Sequence, residues 1–275
     1  MIKDIVVNLS VREGGKPVRD YAISVASTLE AHLTGIAIAH GPTVAVSGMG
    51  YVRVALIDQQ HDNEAAARAV IDRFMAATAR IGVLAEPQML TSSFADNADE
   101  FGRIARRFDL AIVGQVEPEG SATEAMLPVS TLFDSGRPVI IVPYIQKAPF
   151  KLDRVMVCWD GSRPAARAIG DAMPLLERAG HIEVVIIANE RGKQNQIEGI
   201  DMGQHLARHG LKVEVNRITR GEIDVANALL SHAADSGADF IVMGGYGHSR
   251  LREFVLGGVT RSILRSMAVP VLMSH

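Results

Sequence analysis

The 275-residue sequence reads as an α/β chain of two tandem domains, each a five-stranded parallel sheet with helices on both faces. Three observations predict this. Apolar runs of strand length alternate with stretches of helical spacing along the chain. The alternation restarts near residue 153, so a βαβαβαβαβ order occurs twice. The halves also echo one another. Asp109-Leu-Ala-Ile-Val-Gly114 answers Asp239-Phe-Ile-Val-Met-Gly244, and Ser130-Thr-Leu132 with Pro138-Val139 answers Ser262-Ile-Leu264 with Pro270-Val271.

In the first half, Lys3 to Leu9 carries the unbroken run Ile5-Val6-Val7, the mark of a strand covered on both faces. Val18, Ala22, Val25 and Leu29 follow helical spacing. Leu33 to Ala39 is a second strand, broken by Gly35. Gly41 to Gln60 reads as a long connection with three glycines, a length that often marks a functional loop. Ala67, Val70, Phe74 and Thr78 mark a helix, Val83 to Leu90 a strand, and Ala98, Phe101, Ala105 and Phe108 the next helix. A strand at 109–114, a helix from Thr123 to Ser135 and a strand from Arg137 to Val142 complete the half. The linker is placed at Tyr144 to Leu152, giving domains 1–148 and 149–275.

The second half opens with a strand, Asp153 to Trp159, ending in Asp160-Gly161-Ser162. Ala165, Ile169, Ala172 and Leu176 form an amphipathic helix, and Ile182 to Ala188 a strand. Arg191 to Glu198 is polar and reads as loop, with Met202 and Leu206 on a short helix ending at Gly210. Leu211 to Ile218 is a strand, and Ile223, Ala226, Leu230 and Ala233 mark a helix. Phe240 to Met243 is an apolar strand followed by Gly244, Gly245 and Gly247. After Gly257 and Gly258, Val259, Ile263 and Met267 take helical spacing, and Val269 to Met273 is the last strand.

Composition sets bounds. Hydrophobic residues make up 48%, enough for ordinary cores, and a formal net charge of −3 gives no basic footprint for nucleic acid. The one cysteine, Cys158, allows no internal disulfide and fits a reducing compartment. No apolar run approaches the ~20 residues of a membrane span. The start, MIKDIVVNLS, reads as a strand and not as a signal peptide. A cytoplasmic protein binding neither membrane nor nucleic acid is expected.

The chemistry points to the glycine loop. Glycines let backbone approach a ligand, and the N–H groups that open a helix bind anions. The loop follows a parallel strand, at the edge where α/β sheets take ligands. It is neither GxxxxGK[ST] nor G-x-G-x-x-G. Gly244, Gly247 and Gly257 instead fit Gly-x2-Gly-x9-Gly-Ser/Thr, the nucleotide loop of the universal stress protein family. Gly258 stands where that family has Ser or Thr, and Thr260 fits a second hydroxyl position. The chain resembles a tandem universal stress protein, of Rossmann-like, adenine nucleotide alpha hydrolase-like fold. Its first domain is degenerate: Ser10 stands opposite Asp160, and Glu117 opposite Gly247.

The resemblance implies ATP in the second domain. Gly244, Gly247, Gly257, Gly258, Val259 and Thr260 would hold ribose and phosphates. Asp160 and the Cys158 backbone would lie near the nucleoside, and the Asn189 backbone would meet the adenine edge. By its chemistry Asp160 can accept ribose hydroxyls, help hold a Mg²⁺ shell, or cap the helix starting near Arg163. One ATP per chain, in the second half alone, is the expectation. Hydrolysis is at most slow, with no general base or Walker lysine, and no residue is assigned a catalytic or metal-binding role.

His205 and His209, four apart, lack a third ligand and the HExxH glutamate. His248 and Arg250 can reach phosphates or serve the surface. Cys158 lies in an apolar strand, so an inert buried thiol is the default. A partner-binding scaffold without nucleotide, and an ATP-consuming transferase with a second pocket under 41–60, are the competing functions. Each half ends in an apolar strand, Pro138 to Val142 and Pro270 to Met273. Family resemblance places both at sheet edges, implying an internal pseudo-dimer through them; a homodimer is compatible and not required.

Overall fold

The computed structural model describes residues 1–11, 15–40, 52–92, 97–188, 195–219, 223–246 and 258–275. Ten strands and eight helices alternate among them: β1 (Asp4–Leu9), α1 (Lys16–Leu29), β2 (His32–His40), α2 (Val52–Ile81), β3 (Ala85–Ser92), α3 (Asn97–Ala105), β4 (Leu110–Gly114), α4 (Ala122–Ser135) and β5 (Val139–Val142). β6 (Arg154–Cys158), α5 (Arg163–Leu176), β7 (His181–Ala188), α6 (Asn195–Arg208), β8 (Val213–Thr219), α7 (Val225–Ser236), β9 (Phe240–Gly244), α8 (Gly258–Ser266) and β10 (Val271–Ser274) follow. The chain divides into two compact units, residues 2–137 with 147–150, and residue 1 with 138–146 and 151–275.

In the first unit the parallel order is β3-β2-β1-β4. The apolar residues of β1 and β4 are buried, as an unbroken run requires. Gly35 does not break β2. A Cβ there would lie 2.6 Å from the Phe74 ring, so the glycine makes room for a fully buried aromatic from α2. The connection read at 41–60 is also shorter than expected, because α2 already begins at Val52. The last of its glycines is Gly50, and nothing from Val52 to Gln60 interrupts a helix; residues 41–51 lie outside the described residues. Phe150, read as linker, is buried against Tyr21 of α1 in an edge-to-face contact at 5.8 Å, and its N–H donates to Ser24 Oγ.

In the second unit the order is β5-β10-β9-β6-β7-β8. Neighbours are parallel except β5 and β10, where Val271, Leu272 and Met273 run antiparallel to Ile141, Ile140 and Val139. The two apolar strands read as sheet edges are thus hydrogen-bonded to each other within this unit. α6 begins at Asn195, inside the stretch read as loop. Ile200 on this helix is half exposed, so its apolar positions give no clean periodicity. Ile223 lies outside α7: the helix starts after Asp224, whose carboxylate accepts the Asn227 N–H at 2.9 Å.

The repeated aspartate has one structural job in both units. Asp109 accepts the backbone N–H groups of Lys3 and Asp4 at 2.8 and 3.1 Å. Asp239 accepts those of Asp153 and Arg154 at 2.9 and 3.3 Å. Each carboxylate staples the entry of one central strand to the entry of its neighbour, which fixes their register. Burial raises the pKa of Asp239, and the hydrogen bonds it accepts pull the other way.

Candidate functional site

In the second unit the chain winds outward from β6 through β7 to β8, and on the other side from β9 to β10. The reversal lies between β6 and β9, whose register pairs Val157 with Val242. Loops leaving the carboxyl ends of two such strands diverge to opposite faces and leave a crevice between them. Cys158, Trp159 and Asp160 emerge on one side of it, and Gly244, Gly245 and Tyr246 on the other.

The β6 loop is built by local chemistry. Asp160 Oδ1 accepts the Ser162 N–H at 2.9 Å, Gly161 takes the left-handed conformation at φ +75°, and Ser162 caps α5 by accepting the Ala165 N–H. The capping role considered for Asp160 therefore belongs to Ser162. Asp160 organises the turn with one oxygen and remains exposed. Trp159 donates its backbone N–H to Val185 of β7 at 2.9 Å, while its indole N–H is buried without a partner among the described residues. Burial, and secondly the Asp160 charge, push the Cys158 thiol up to about 12, so it stays protonated at neutral pH.

Gly244 owes its identity to packing. A Cβ there would strike Ala165 N and come within 2.6 Å of the Pro164 carbonyl carbon, so only glycine lets the end of β9 pass the first turn of α5. Beyond it, Gly245 donates its N–H to Ser274 O at 2.9 Å, and its carbonyl oxygen accepts from His275 Nδ1 at 3.1 Å. Tyr246 is left-handed at φ +53°, and its N–H donates to Thr260 Oγ1 at 3.1 Å. Burial raises the Tyr246 phenol pKa, partly offset by Arg261, so it stays neutral. Thr260 is buried in the first turn of α8, whereas Gly258 and Val259 in the same turn are exposed. A Cβ at Gly258 would meet nothing within 4 Å.

Six of the residues singled out in the sequence are thus placed: Cys158, Asp160 and Gly244 at the carboxyl ends of adjacent strands, and Gly258, Val259 and Thr260 at a helix start tied to Tyr246. Asn189, Gly247 and Gly257, with His248 and Arg250, lie outside the described residues. His205 and His209 are exposed and stack edge to face at 4.9 Å; no cluster of metal-ligating side chains occurs among the described residues.

Two features escaped the sequence. Glu183 of β7 is buried, accepting from Asn216 of β8 at 3.0 Å and lying 2.8 Å from His232 Nε2 of α7. The first unit also carries an open cleft of about 360 Å³ at its own strand reversal, between the ends of β1 and β4. Both depend on residues far apart in the chain, which no local pattern joins.

Comparison with known proteins converges on one family. Residues 151–275 match the Universal stress protein family. A universal stress protein of Synechocystis sp. is 28% identical over 145 residues, which is 50% of this chain and 46% of that protein. The chain spans about half the length of this curated relative. The crystal structure of a universal stress protein from Archaeoglobus fulgidus superposes with a TM-score of 0.73 at 17% identity, covering 98% of this chain and 96% of that one. A putative universal stress protein from Pseudomonas aeruginosa gives 0.60 at 13% identity, with 98% and 92% covered. At such identities the two structures attest the shared α/β fold.

Proposed function

From the premise that this chain carries a universal stress protein domain over residues 151–275, we propose that this domain binds one adenine nucleotide, ATP, in the crevice between β6 and β9. The observation that carries the reading is the placement at one strand reversal of an exposed carboxylate after β6 and, after the neighbouring β9, a turn hydrogen-bonded to the start of α8. Asp160 is held by the Ser162 N–H with its carboxylate accessible, and Thr260 opens α8 beside the Gly244–Tyr246 turn. The helix start offers N–H donors to phosphate oxygens. The carboxylate accepts ribose hydroxyls or holds water around a Mg²⁺ that accompanies the phosphates.

The role is binding, and no residue is given a catalytic part. The bound nucleotide sets the state of a stress-response or signalling module read by another protein. No helix among the described residues is long and apolar enough to cross a membrane, and action in the cytoplasm is part of this proposal.

Calorimetric titration of the full chain with ATP tests it. One site per chain is expected, weakened about tenfold or more by Asp160→Ala, the scale of a lost charged hydrogen bond. No measurable binding, two equivalent sites per chain, or full affinity in a folded Asp160→Ala variant would overturn it.

A further inference from the structure

Helix α6 presents two imidazoles on its outer side. Gly203 and Leu206 seat the helix on the sheet: a Cβ at Gly203 would strike the Val215 side chain of β8, and Leu206 is fully buried. The helical repeat then turns His205 and His209 away from the sheet, and both are exposed. Residues four apart lie one above the other on a helical face. Their rings meet edge to face, with centroids 4.9 Å apart.

That separation suits one shared metal ion. With a metal–nitrogen bond of about 2.0–2.1 Å, an ion in line with a ring nitrogen lies about 3.2 Å from the ring centroid. Two imidazoles on one ion, at an angle of about 90–109°, then have centroids about 4.5–5.2 Å apart. The observed spacing falls inside this range, so the backbone need not move. Exposed side chains are free to turn their nitrogens toward the ion.

The end of the helix is fixed in place. The His209 N–H donates to Leu206 O at 3.0 Å, the Gly210 N–H to Ala207 O at 2.9 Å, and the Leu211 N–H to Leu206 O at 3.3 Å. Gly210 takes the left-handed conformation, at φ +79°, that closes such a turn. His209 thus sits at the carbonyl end of α6, where the helix dipole favours a cation. Asp201, one turn before His205, is exposed and adds a negative charge. The exposed Arg208 and Lys212 oppose it, so coordinate bonds rather than net charge must hold the ion. No third His, Cys, Asp or Glu joins the pair among the described residues, and water fills the remaining positions of the ion.

Ring nitrogen selects the class of ion. Imidazole suits Zn²⁺, Ni²⁺ and Cu²⁺, whereas Mg²⁺ and Ca²⁺ demand oxygen. We propose that His205 and His209 chelate one divalent transition-metal ion on the outer side of α6. The site is separate from the crevice between β6 and β9 and does not rest on the nucleotide reading.

The test titrates the full chain, without nucleotide, with Zn²⁺, Ni²⁺ and Mg²⁺ by calorimetry. Zn²⁺ and Ni²⁺ should each bind with a Kd below about 1 mM, and at least about tenfold tighter than Mg²⁺. His205→Gln and His209→Gln should each weaken both ions about tenfold or more, since a single imidazole is no chelate. Both positions are exposed, so both variants should fold, which circular dichroism checks. In the wild type, traces of Ni²⁺ should broaden first the imidazole proton signals that the two variants lack, a readout that needs no substituted chain to bind metal. The proposal is overturned if neither Zn²⁺ nor Ni²⁺ binds, if Mg²⁺ binds as tightly, if other histidine signals broaden first, or if either folded variant keeps the affinity of the wild type.

Discussion

The backbone N–H of Tyr246 donates to the hydroxyl oxygen of Thr260 at 3.1 Å, joining the end of the β9 turn to the first turn of α8. The family resemblance puts Thr260 among the residues that would hold ribose and phosphates. The structure gives its oxygen to Tyr246, while a hydroxyl still has one proton to donate. Thr260 can therefore position the turn and meet a ligand together. Thr260→Val keeps the shape and removes both bonds. It should cost about 1 kcal/mol of stability, the usual worth of one such hydrogen bond, and weaken ATP about tenfold by calorimetry. Thr260→Ser should restore both. Full affinity in Thr260→Val would assign the residue to the turn alone.

Gly244 and Gly258 should respond oppositely to a side chain. Gly244→Ala forces a Cβ onto the α5 backbone at Pro164 and Ala165, which cannot retreat as a flexible side chain would. A loss of about 1–3 kcal/mol is expected in urea unfolding, the range of overpacked sites. Gly258→Ser enters open space and should leave stability within about 0.5 kcal/mol, as at ordinary surface positions. It also adds the hydroxyl that the family pattern carries at this position, and should tighten ATP. Equal destabilisation by the two variants would contradict this account of the glycines.

Much of the architecture could be read from the sequence because buried parallel strands are unbroken apolar runs, as in Val155–Val157 and Phe240–Met243. The duplicated aspartates Asp109 and Asp239 were visible as an echo, though not as strand staples. Errors arose where one residue's role is set from afar. Gly35 looked like a break because Phe74, which fills the space beside it, is 39 residues on. Ile223 looked helical because its spacing to Ala226 fits, but Asp224 caps the helix behind it. At the site, Asp160 and Gly244 could be found from strand ends. That Ser162 takes the cap and that Gly244 serves packing required the α5 backbone. The cleft beside Asn97 was beyond reach, since its walls come from five separate stretches.

Cys158 tests the burial of the crevice wall. Its thiol is pushed up to about 12 by burial and by Asp160. Alkylation by iodoacetamide at pH 8 should be far slower in the folded chain than in urea, because the thiolate is the reactive form. Asp160→Asn removes the smaller cause and should raise the rate only modestly. Rapid labelling of the native chain would show the thiol to be accessible and ionised.

Glu183 makes stability depend on pH. Burial alone would raise its pKa, but the hydrogen bonds from Asn216 and His232, with the charges of His232 and Arg154, outweigh it and hold the carboxyl below its ordinary value. A group depressed in the folded state binds a proton more readily when unfolded. Its stabilising contribution is therefore complete above the unfolded carboxylate range, and is lost as pH falls through that range to the lower folded value. Urea unfolding of the wild type should show stability declining over this acid window. Glu183→Gln keeps the volume and one acceptor but does not titrate, so its stability should be lower at neutral pH and flatter through the window. His232→Gln removes the shortest contact to the carboxylate, at 2.8 Å, and should shift the decline to higher pH. A variant curve parallel to wild type throughout would mean that Glu183 does not govern the acid limb.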